Sequence, residues 1–192
     1  MFTNNGASVR RVVRLYEQAS DESLAYGLAW YYDAHTFATE LAAEHDVTIA
    51  QAAGVVAALS PRLEWNLNKR KAAEVLATGT TSGLSLSVTR AQRIAQGEAP
   101  LDVLGGPKVR AFFSNIADPD GSIAVTIDRH AIDALNGWTV SSDKQRKVLE
   151  RKGAYEAAAD IYRRAGALVG KPAHVVQAVV WCEWRDAKAL AA

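Results

Sequence analysis

Thr48-Ile49-Ala50-Gln51-Ala52-Ala53-Gly54-Val55-Val56-Ala57-Ala58-Leu59 contains no charged residue and, beyond Thr48 and Gln51, only small or aliphatic side chains. A helix apolar on every side must be enclosed by other helices, so this segment is expected at the centre of the fold with Thr48 as its N-cap. Pro61 cannot extend it and biases Ser60 toward an extended backbone, which makes Ser60-Pro61-Arg62-Leu63-Glu64 a corner. Asn66 to Leu76 reads as the next helix. On the N-terminal side, Asp21 or Ser23 is placed to cap a helix that carries Leu24, Leu28, Tyr31, Tyr32, Phe37 and Leu41 on a broad stripe and ends near His45.

Downstream, the apolar residues keep their three- and four-residue steps, and Val/Ile/Thr alternation is scarce, so little or no sheet is expected. A short helix is predicted from Ser87 or Thr89 through Ala95, and another from Lys108 to Ile116. Between them, residues 97 to 108 hold too many glycines and prolines for a helix interior. Asp118-Pro119-Asp120-Gly121 is a turn by composition, Ile123 to Ile127 is short and extended, and Asp128 caps a helix ending near Leu135. Two longer helices close the chain, roughly Asp143 to Leu168 and Pro172 to Leu190. The expectation is an all-α, compact multi-helix fold in one domain, residues 1–192.

Composition sets bounds on function. The 192 residues are 49% hydrophobic and 22% charged, the profile of an ordinary globular chain. A lone cysteine, Cys182, excludes disulfide scaffolds and clusters that need several thiolates. His35, His45 and His174 lack the spacing of a zinc helix, so no metal and no cofactor is expected. The first residues have neither the basic flank nor the apolar run of a signal peptide, and a cytoplasmic protein without membrane association is expected. With 22 Lys and Arg against 21 Asp and Glu, a global attraction to nucleic acid is absent. Two local clusters remain, Arg62, Lys69, Arg70 and Lys71, and then Lys144, Arg146, Lys147, Arg151 and Lys152; each reads equally as a basic binding face or as a solvated helix face.

The segment richest in chemistry is Leu101-Asp102-Val103-Leu104-Gly105-Gly106-Pro107-Lys108-Val109-Arg110-Ala111-Phe112, followed twenty residues after Lys108 by Asp128-Arg129-His130. A glycine hairpin at a helix N-terminus presents backbone donors to a phosphate oxygen, with Gly105 and Gly106 permitting close approach. The alternative is an ordinary helix–helix turn. Asp128 is placed either as a helix cap alone or as a carboxylate with one oxygen still available for chemistry.

Here the chain resembles the helix-hairpin-helix (HhH-GPD) superfamily of DNA glycosylases. Gly106 matches the second hairpin glycine, Lys108 the hairpin lysine, Asp128 the family's catalytic aspartate and His130 the histidine after it. Ala57-Ala58-Leu59-Ser60-Pro61-Arg62, with Asn66 and Lys69 behind it, is similar to the corner that probes the opened base stack. Leu104 stands in place of the first hairpin glycine, and Arg129 where a small Thr or Ser is usual. The pattern as a whole, through Gln177-Ala178-Val179-Val180-Trp181, is similar to uncharacterised proteins of actinobacterial phages and their hosts, which would place it in the host cytoplasm.

The resemblance implies one hairpin motif at about 98–116, a catalytic helix start at about 127–136, and an enzyme that binds duplex DNA and acts on a flipped-out, modified or unmodified base. Asp128 would stabilise the positive sugar of a breaking N-glycosidic bond, and Lys108 would either form a Schiff base or touch phosphate. Ser60, Arg62, Trp65, Asn66, Gly105, Gly106, Arg110, Arg129 and His130 are the expected DNA- or substrate-binding residues, His130 in a structural or supporting role. Trp30, Tyr31, Tyr32 and Trp65 are candidate walls of a base pocket, while Trp181 and Trp184 read as packing. Two alternatives stand beside base excision: a phage-type thymine or base hypermodification transferase on the same fold, and a DNA-binding module without catalysis.

Overall fold

The computed structural model describes residues 6–139, 147 and 149–190, the last five by backbone alone. Ten helices and no strand occur among the described residues: α1 (Gly6–Glu17), α2 (Asp21–His45), α3 (Ile49–Leu59), α4 (Trp65–Thr78), α5 (Ser85–Ala95), α6 (Pro100–Val103), α7 (Pro107–Ala117), α8 (Arg129–Asn136), α9 (Ala154–Val169) and α10 (Ala173–Leu190). The protein is all-α. Its residues fall into two compact units, one running from Tyr31 to Ser122 and the other made of the chain up to Trp30 together with the chain from Ile123 onward.

In the unit spanning Tyr31 to Ser122, α3 is the enclosed helix, packed against α4, α5, α6 and α7. Ala52 through Leu59 are all buried, and each fully buried Val or Leu contributes roughly 1.5–3 kcal/mol. Thr48 caps α3 through its hydroxyl, which accepts from the Gln51 amide at 3.1 Å, while Gln51 Oε1 accepts from the Thr48 amide at 3.0 Å. A Cβ on Gly54 would lie 2.8 Å from Cγ of Pro100, so only glycine lets α6 dock this closely on the central helix.

Several boundaries differ from those expected of the sequence. Ser60 is helical, with φ −59° and ψ −26°, despite the proline after it. Its amide and its hydroxyl both donate to the Ala57 carbonyl, at 3.2 and 2.9 Å, and these two bonds offset the steric bias. α4 starts one residue earlier than expected, because Glu64 supplies its cap, and α5 starts at Ser85, two residues before Ser87 and four before Thr89, with no side chain capping it. Pro100 opens the four-residue α6 inside the breaker-rich stretch, at a first-turn position where a missing N–H costs little. Neither Asp21 nor Ser23 caps α2; the Ser20 hydroxyl does, accepting from the Ser23 amide at 3.2 Å.

The other unit packs α1, α8, α9 and α10 around a core that includes Val9, Val12, Ile127, Ile132, Leu135, Ile161, Tyr162, Val176 and Val180. α1 has no counterpart among the helices expected from spacing, although Val9 and Val12 turn one apolar side of it inward. The helix expected from Asp143 has its start outside the described residues, as do Lys144 and Arg146; residues 147 and 149 are helical, and a turn at 150–153 separates them from α9, which starts at Ala154. Residues 123–127 form neither helix nor strand, and the Tyr155 hydroxyl clasps them by donating to Val125 O at 2.8 Å and accepting from the Ile127 amide at 3.1 Å. That clasp fixes the approach to Asp128. No helix among the described residues is long and apolar enough to cross a membrane.

Candidate functional site

The expected site residues divide between the two units, Ser60 to Arg110 in one and Asp128 to His130 in the other. Each group has its own geometry.

Helix α6, residues 104–106 and helix α7 form a helix, a hairpin and a second helix. Gly106 is the N-cap of α7, with φ +75°, a conformation that L side chains rarely adopt, and open space where a Cβ would stand. No side chain caps α7, so its first-turn amides keep their donor capacity beside the half-buried Lys108. Gly105 differs from its expected role: a Cβ there would lie 2.5 Å from an Arg90 guanidinium nitrogen, so an arginine covers the approach that the glycine was expected to leave open. Arg110 Nη1 donates to Leu104 O at 3.1 Å and braces the hairpin from behind. Arg90 is the residue that spacing missed, because it lies on α5, well before the motif.

At the corner after α3, Arg62 is exposed with φ +65°, a left-handed conformation uncommon for arginine. Ser60 spends its hydroxyl on the Ala57 carbonyl. Trp65 lies edge-on to Phe37, ring centres 6.1 Å apart, and the Lys69 ammonium sits over both rings at 5.7 and 5.6 Å. Glu64 accepts from the amides of Asn66 and Leu67, and those bonds, with the cations Arg70 and Lys69, hold its carboxyl below the usual range. Asn66 is exposed on the first turn of α4.

Asp128 is the N-cap of α8, half-buried, with Oδ1 accepting from the Ala131 amide at 2.8 Å. Its other oxygen is not left over: Oδ2 accepts from the Trp181 indole Nε1 at 3.0 Å. Trp181 was read as packing, and it does pack, against Trp30 at 5.8 Å and edge-on to His130 at 6.2 Å. Its N–H on the candidate carboxylate could not be read from the sequence, since the two residues are separated by 53 positions. Of the four aromatic residues considered for a base pocket, Trp30 joins this cluster, Tyr31 is buried against Phe112, Tyr32 donates to Asp120 at 2.8 Å, and Trp65 belongs to the corner. Arg129 Nε donates to His130 Nε2 at 3.1 Å, which requires the imidazole to be unprotonated at that nitrogen. Full burial, and after it the charge on Asp128, push the Tyr162 phenol far up, so that its hydroxyl stays a donor to Ala131 O at 3.1 Å.

Among the described residues no three His, Cys, Asp or Glu side chains converge as a metal site would require. What the two groups offer is a cation-flanked helix N-terminus in one unit, and in the other a carboxylate oriented by two donors beside an aromatic cluster. No curated protein and no solved structure matches the chain. A family model described only as a family of unknown function, DUF7178, matches residues 3–188, and the chain belongs to that family.

Proposed function

We propose that the protein binds DNA through the α6–α7 hairpin and acts on an everted nucleobase in the manner of the helix-hairpin-helix glycosylases, with Asp128 assisting cleavage of the N-glycosidic bond. The observation that carries the reading is the Asp128 carboxylate, held by the Ala131 amide on one oxygen and the Trp181 indole on the other. Cleavage of that bond builds positive charge on the sugar, and a carboxylate fixed in advance stabilises it without reorganising. The hairpin supports the DNA half of the reading, with Lys108, Arg90 and Arg110 around an uncapped helix start.

The test is mass-spectrometric profiling of nucleosides and free bases after incubation with unmodified and phage-modified DNA. Free base together with abasic sites, both lost in Asp128→Asn, supports excision. A base that gains or loses a substituent with its sugar bond intact assigns the chain to transfer. No change in any DNA, with duplex binding retained, leaves a binding module.

A further inference from the structure

Trp181 and Arg185 stand four residues apart on α10, on one face of the helix. Side chains lean toward the N-terminus of their helix, so the later residue reaches back over the earlier one. The Arg185 guanidinium carbon lies 4.4 Å from the centre of the Trp181 ring. Arg185 is exposed, and among the described residues no carboxylate pairs with it; Glu183, two positions before it, accepts from the Ser20 amide at 3.0 Å instead. The ring therefore sets where this cation rests. Through its Nε1 the same indole donates to Asp128 Oδ2 at 3.0 Å.

Cation, indole and carboxylate thus stand in series, joined by one ring. A cation over an indole face draws electron density toward itself, which makes the N–H at the ring edge a stronger donor. Contacts in series polarise one another in this way, each strengthening the next. The ring has little freedom to turn, because Trp30 packs 5.8 Å from it and His130 meets it edge-on at 6.2 Å. Asp128 already accepts from the Ala131 amide at Oδ1, so the indole bond is what fixes its second oxygen.

We propose that Arg185 is a positioning residue for Asp128: by polarising the Trp181 ring it strengthens the indole bond to Oδ2 and holds the carboxylate in the orientation which that bond sets. The strengthened bond is a property of the folded chain, whereas its effect on turnover rests on the excision reading above.

The experiment follows the Trp181 indole N–H resonance of the full chain by NMR, assigned by its loss in Trp181→Phe. Arg185→Gln is expected to move the proton upfield, toward a weaker hydrogen bond, and Arg185→Met to match it, since neither side chain carries charge. Arg185→Lys is expected to restore the wild-type position. In an Asp128→Asn background, where the charge of the acceptor is gone, Arg185→Gln is expected to move the proton much less. An unmoved proton in Arg185→Gln, a wild-type position in Arg185→Met, or a displacement as large in the Asp128→Asn background overturns the coupling. In base-release assays, Arg185→Gln is expected to lower turnover about two- to fivefold, the equilibrium factor of a cation on an exposed ring, with duplex affinity unchanged. Lost affinity would mean that Arg185 touches DNA directly, and unchanged turnover that the coupling positions nothing; either overturns the positioning role. Absence of base release from wild type overturns the excision reading, while the resonance still decides the coupling.

Discussion

Replacing Asp128 by asparagine leaves one acceptor oxygen where two donors, the amide of Ala131 and the indole of Trp181, require two. Whichever way the new amide turns, its NH2 faces an N–H. Trp181→Phe removes the indole donor while keeping most of the ring. Hydrogen bonds to a charged group contribute about 1.5–3 kcal/mol, and partial exposure of Asp128 puts this one at the lower end. Each single variant is therefore expected to lose about 1.5 kcal/mol of stability, and the pair less than the sum, with a coupling of about 1 kcal/mol in a denaturant double-mutant cycle. Additive losses would show that the 3.0 Å contact carries no energy. Under the proposed excision, base release would separate the two residues: Asp128→Asn is expected to abolish it, whereas Trp181→Phe is expected to lower turnover with duplex affinity retained.

Helix starts show the same physics on the next scale. Thr48→Ala removes the acceptor for the Gln51 amide and breaks the capping box of α3, at a cost of about 1 kcal/mol. In a chain of this length that lowers the unfolding midpoint by about 2–4 °C, measurable by calorimetry. Glu64 caps α4 as a carboxylate whose pKa is lowered below the ordinary 4.5, chiefly by the Asn66 amide. The folded state thus binds its proton less readily than the unfolded state does. The contribution is fully present above the ordinary value and is lost as pH falls through the lowered one. Glu64→Gln is expected to melt below wild type at neutral pH, with the gap closing as pH falls through the lowered pKa; a gap independent of pH would mean that the charge is irrelevant to the cap.

How far these elements could be read from sequence follows from what fixes each of them. The Thr48 cap of α3, the turn at Asp118 and the cap at Asp128 are local, built within three or four residues, and all three are where the sequence puts them. α1 was not read because Arg10, Arg11 and Arg14 interrupt its short apolar side, which gains meaning only from the partners that bury Val9 and Val12. Ser60 was misassigned because a bias of its neighbour was weighed without the hydrogen bonds that oppose it. Trp181 on Asp128 and Arg90 over Gly105 were beyond reach for one reason: each sets a helix side chain against a different segment, a contact that exists only once the chain has folded.

On the scale of the whole chain, 22 basic against 21 acidic side chains provide no overall field to gather DNA. DNA binding as proposed would have to draw on local cations, and the hairpin gathers Arg90, Lys108 and Arg110 near the start of α7, with Asp102 on α6 as the acid of the same segment. The salt dependence of duplex binding should then correspond to a handful of phosphate contacts rather than the larger number expected of a strongly basic protein. Lys108→Glu tests this at one position. Lys108 lies in the first helical turn, where an acidic side chain suits the helix dipole, so the substitution is expected to preserve or slightly raise the unfolding midpoint. Duplex affinity should nevertheless fall at low salt, to a similar degree for every sequence offered, because a phosphate contact does not discriminate among bases. A loss confined to one sequence would place Lys108 against a base instead. Unchanged affinity would remove α7 from the interface altogether.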